Sequence, residues 1–147
     1  MPRRRFKTVI SRARFTVSPY TPQQMAELGK VVRDSVRVRI LRAVDVSDQP
    51  APPLKKKVKG RGYPEWKARV RPPAIRNWRL TGRTMGAMRV LTANQNRVVI
   101  GFSDAVANLR AWYNNRRHRQ FGMSPSDWRA ALARVRKLNA VKAETTK

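Results

Sequence analysis

"RVLTANQNRVVIGF", Arg89 to Phe102, decides the fold class. Val90 and Leu91 begin a strand, "TANQN" supplies turn residues, and "RVVIGF" is a second β-branched run, so the stretch predicts a β-hairpin. On either side the period changes from two to between three and four. Asp104 offers a helix cap ahead of Val106, Leu109, Trp112 and Tyr113, and that helix is expected to end near Gly122. Ser124-Pro125-Ser126-Asp127 then puts a capping hydroxyl, a proline and an acid at the first stations of another helix. Trp128, Leu132, Val135 and Leu138 predict a single apolar face on it.

Upstream, Val9, Ala13, Phe15 and Val17 lie at alternating positions with Arg12 and Arg14 between them, which predicts a strand over Phe6 to Val17 with one wet face. Thr21-Pro22-Gln23-Gln24 is a capping box with proline at the first helical position. From there Met25, Leu28, Val32, Val36, Ile40 and Ala43 recur at steps of three and four, so a long helix should run from Pro22 to about Val44. The expected order is strand, long helix, basic loop, short helix, hairpin, helix, helix, an α+β content with additional C-terminal helices. Residues 1–5 form a basic arm, 6–141 a single domain and 142–147 a tail. Residues 45–75, dense in Pro, Gly and Lys, are expected as an extended basic surface loop. Within "LTGRTMG", Thr81 is expected to cap a short helical turn over Gly82 to Met88.

Charge limits the function. The 147 residues hold 34 Lys plus Arg against 8 Asp plus Glu, a formal net charge of +26. Charge of one sign at that density calls for nucleic acid, acidic neighbours or an anionic membrane. No apolar run approaches the roughly 20 residues of a spanning helix, so a membrane partner is not expected. Two clusters stand out as contacts for a polyanion or a neighbouring subunit. Lys55, Lys56, Lys57, Lys59 and Arg61 sit beside Tyr63 and Trp66, a mixture suited to phosphates and bases, or to a solvated loop. Arg116, Arg117 and Arg119 lie in "WYNNRRHRQFG", where a helix C-terminus would favour cations but does not require so many.

Enzymatic chemistry is not expected. General acid-base catalysis usually needs a histidine or paired carboxylates, and the single histidine, His118, stands among arginines that disfavour its protonation. Asp45 and Asp48 provide too few oxygens for a hard cation, Cys is absent, and neither "GRGYPEWK" nor "LTGRTMG" has P-loop spacing. No cofactor or metal is expected.

The order "WRLTGRTMGAMRVL", "VVIGFSDAVA", "RRHRQFGMSPSD" resembles the tail-completion and virion-morphogenesis proteins that join head and tail in tailed bacteriophages, over roughly Ala51 to Asp127. The resemblance implies a small curved antiparallel sheet against a long helix. It also implies a homo-oligomeric ring in the neck or tail end of the virion, made in the host cytoplasm. Partners would be connector, adaptor or tail proteins, with packaged DNA within reach. No catalytic residue is carried over. Leu80, Thr81, Gly82, Gly101, Phe121 and Gly122 would be architectural: Gly82 turns the chain, Gly101 ends the strand, and Phe121-Gly122 anchors and terminates a helix. Two departures are the strongly cationic connection and the length of the helix after Phe102. Composition alone points instead to a stand-alone nucleic-acid-binding protein of ribosomal or chromatin-like kind.

Overall fold

The computed structural model describes residues 12–14, 20–54, 63–70, 72–73, 82–116 and 118–145. The hairpin forms from β2 (Met88–Asn94) and β3 (Arg97–Phe102), paired antiparallel across a two-residue connection. A bulge between Val90 and Thr92 leaves Leu91 exposed and shifts the register. β1 (Arg12–Arg14) pairs antiparallel on the other side of β3, giving the order β1-β3-β2. The remainder of the strand expected over Phe6 to Val17 lies outside the described residues.

The long helix α1 (Pro22–Leu41) begins as its capping box dictates: Thr21 Oγ1 accepts from Gln24 N–H, and Gln24 Oε1 accepts from Thr21 N–H. Met25, Leu28, Val32, Val36 and Ile40 are buried with Met88, Val98, Ile100 and Phe102 of the hairpin in one core. Gly29 lets the helix approach closely, since a Cβ there would stand 2.6 Å from Val98 Cγ1 and 3.0 Å from Val90 Cγ2.

α1 stops three residues before the expected Val44. Ala43 adopts φ 56°, its N–H donates to Ile40 O, and Val44 N–H reaches back to Arg39 O, a Schellman closure with alanine where glycine is usual. Asp45 Oδ1 then accepts from the N–H groups of Ser47 and Gln49, and Val44 pairs with Pro50, so a tight turn follows at once. The expected extended loop over 45–75 is also interrupted by a helix, α2 (Tyr63–Val70), with Lys67 buried.

Gly82, at φ 70°, turns the chain into the short α3 (Arg83–Gly86) and itself occupies the N-cap position; the Thr81 expected to cap it lies outside the described residues. Leu80 lies outside them too. α4 (Ala105–Asn115) starts on Asp104, which accepts from the N–H groups of Val106 and Ala107 and pairs with Arg83. α4 ends well before Gly122. Asn115 Oδ1 takes the N–H groups of Gln120 and Phe121 while its Nδ2 donates to Phe121 O, so a side chain folds the connection back under the helix end.

α5 (Pro125–Thr145) starts with reciprocal Ser124 and Asp127 hydrogen bonds, as the sequence predicts. It runs antiparallel to α1: Ser35 meets Asp127 near one end, and Tyr20 meets Asn139 near the other. Its inward face differs from the expected one. Ala131 and Val135 are buried and Leu138 packs on the core, whereas Trp128 and Leu132 are 37% and 46% exposed.

Candidate interaction surface

α4 carries its apolar side chains in an unusual direction. Its inward positions are Ala107 and Ala111, both fully buried, while Val106, Leu109 and Tyr113 are 42%, 42% and 59% exposed. Steps of three and four place these three on one outward ridge. Small residues inside let α4 lie close against α3 and β3, which leaves the bulky ones for the outside.

Arginines border this ridge. Arg110 is exposed beside it, and Arg116, at the C-terminal cap, holds its guanidinium carbon 5.0 Å from the centroid of the Trp112 ring. Trp112 in turn meets Tyr113 edge to face, with centroids 5.0 Å apart. The cation is therefore steadied on an aromatic platform. Arg119 is exposed in the connection after α4, and its carbonyl accepts from Val46 N–H. Arg117 lies outside the described residues. So do Lys55, Lys56, Lys57, Lys59 and Arg61, which leaves Arg116 and Arg119 as the members of the two cationic clusters among the described residues.

Three further residues of the architectural motif, Gly101, Phe121 and Gly122, lie in and after β3 and α4. Phe121 is buried and meets Phe102 edge to face at 5.3 Å. Gly101 does not end the strand; it is buried within β3 opposite Arg89, and Phe102 continues the ladder. Gly122 terminates no helix. Its carbonyl accepts from Arg39 Nη2 at 2.7 Å.

Arg39 is the group the sequence pattern conceals. It occupies the buried stripe of α1 and forms an ion pair with Asp127, Nε to Oδ2, at 2.9 Å with both side chains buried. Its remaining donors reach the carbonyls of Val44, Gln120 and Gly122. Ser35 Oγ also donates to Asp127, and Asp48 accepts from both the N–H and the hydroxyl of Ser126. The Ser126 hydroxyl, foremost, holds the Asp48 carboxyl below its ordinary range. This polar cluster fixes the connection that carries Arg116 and Arg119 against the ends of α1 and α5.

The acids decide how the surface charge is answered. Glu27 pairs with Lys30 and Asp34 with Arg33; Asp45 binds its turn, Asp48 binds Ser126, Asp104 binds Arg83 and Asp127 binds Arg39. Arg110, Arg116 and Arg119 form no ion pair among the described residues. Also among the described residues, no three His, Asp or Glu side chains gather to hold a metal ion, and no helix is long and apolar enough to cross a membrane. No protein-family model, curated protein or solved structure matches the chain.

Proposed function

We propose that this chain is a non-catalytic structural protein of a tailed-phage virion, built into the head-tail junction as part of a neck or tail-completion ring. The observation that supports the reading is the ring contact of Phe121 with Phe102, which brings two of the resembling segments together. Gly82 turns the chain toward the hairpin, Gly101 packs in its central strand, and Phe121 closes on Phe102 from the connection after α4. Copies joined head to tail would close into a ring only where their rotation closes, so the contacts between subunits are heterologous. Cationic surfaces would face acidic connector, adaptor or tail proteins and the DNA passing through.

Deleting the gene from the phage genome tests this. Filled heads and finished tails should accumulate unjoined, and supplying the chain in trans should restore virions that carry it in a small fixed copy number. Normal virions from the deletion would overturn the reading. The surplus of cations favours one other role, a nucleic-acid-binding protein outside the particle; recovery of the chain on host nucleic acid, with joining unaffected, is the outcome that role requires.

A further inference from the structure

We infer that the outward ridge of α4 docks an acidic amphipathic helix of a different protein, and not a second copy of this chain. The inference rests on the proposed assembly role and names the partner chemistry of one surface. Val106, Leu109 and Tyr113 share a ridge with the spacing that receives an apolar helix face. Arg110 and Arg116 border it, the second already steadied over Trp112. An apolar line bordered by guanidinium groups is complementary to leucines bordered by carboxylates. Nucleic acid answers the arginines but has nothing in its phosphate backbone for Val106 and Leu109.

A second copy fails for the opposite reason. Each acid whose surroundings are described is already engaged within its own chain: Glu27 by Lys30, Asp34 by Arg33, Asp104 by Arg83, Asp127 by Arg39, Asp48 by Ser126 and Asp45 by its own turn. A like molecule of net charge +26 brings more cations and no spare carboxylate from these positions. Among the described positions a second copy offers no uncommitted carboxylate, so a different, acidic protein is the better complement.

The probe is a synthetic amphipathic helix of leucine and glutamate, labelled for fluorescence anisotropy and titrated with the full chain. Comparison probes are the same peptide with serine for leucine, the same peptide with lysine for glutamate, and a duplex DNA. The leucine-glutamate peptide should bind most tightly of the three peptides. Leu109→Ser with Tyr113→Ser should weaken it by about tenfold or more, and leave DNA affinity unchanged. Arg110→Gln with Arg116→Gln should weaken it as well and flatten its salt dependence. These side chains point outward, and unchanged thermal melting verifies that the variants fold. Equal binding of the serine-glutamate peptide, or full affinity in the Leu109/Tyr113 variant, overturns the inference. So does parallel loss of DNA binding in that variant, which would make the ridge a nucleic-acid face. Sedimentation showing a wild-type dimer abolished by the same changes would install the second copy. Peptide binding needs no particle, so failure of the gene-deletion test leaves this result standing, and the reverse holds too.

Discussion

The Arg39 guanidinium gives up water to serve one carboxylate and three carbonyls, from Asp127, Val44, Gln120 and Gly122. Removing a charge from water costs several kcal/mol, and only near-complete hydrogen bonding offsets it. Arg39→Met should therefore destabilise the fold by about 3–5 kcal/mol, because it leaves Asp127 buried without its cation and takes the guanidinium from three carbonyls; urea denaturation measures it. Asp48 offers a check through pH. Its carboxyl is held low in the folded state, so its contribution is present above the usual aspartate value of about 4 and lost as pH falls through the lower folded value. Asp48→Asn should accordingly flatten the acid limb of a stability-versus-pH curve, with little change in its slope near neutrality.

Among elements, the contact of α1 with the hairpin depends on a missing side chain. At an exposed helical site, Gly→Ala gains about 1 kcal/mol. At Gly29 the added methyl would press on Val98 and Val90, whose branched side chains yield poorly, so Gly29→Ala should cost about 1–3 kcal/mol by thermal or urea melting. The helix starts at Pro22 and Pro125 and the hairpin were legible because their signals lie within a few residues of each other. Other features depended on distant partners. Gly29 carries no local mark of the valines it faces, and Arg39 is one arginine among many until Asp127 arrives from 88 residues away. Ala43 hides the stop of α1 by taking a conformation usually left to glycine. Periodicity grouped Val106, Leu109, Trp112 and Tyr113, yet it cannot say which of them face in and which out. The α4 ridge was therefore visible as a helix stripe and not as a surface.

For the whole molecule, electrostatics opposes compactness through the mutual repulsion of a chain at +26. Salt shortens the reach of that repulsion from about 10 Å at 0.1 M to about 3 Å at 1 M, while a buried pair such as Arg39 and Asp127 is screened much less. Stability should thus rise with sodium chloride, opposite to a protein held by surface ion pairs; calorimetric melting at two ionic strengths checks it. The same Arg39 cluster has a consequence in time. During synthesis α1 leaves the ribosome long before Gln120, Gly122 and Asp127 exist, and until they do, docking the end of α1 would strand a dehydrated cation. The C-terminal turn of α1 therefore finds its partners in water until residues 120–127 have been made. The translating cell thus has a fold that cannot close early around an unfinished product.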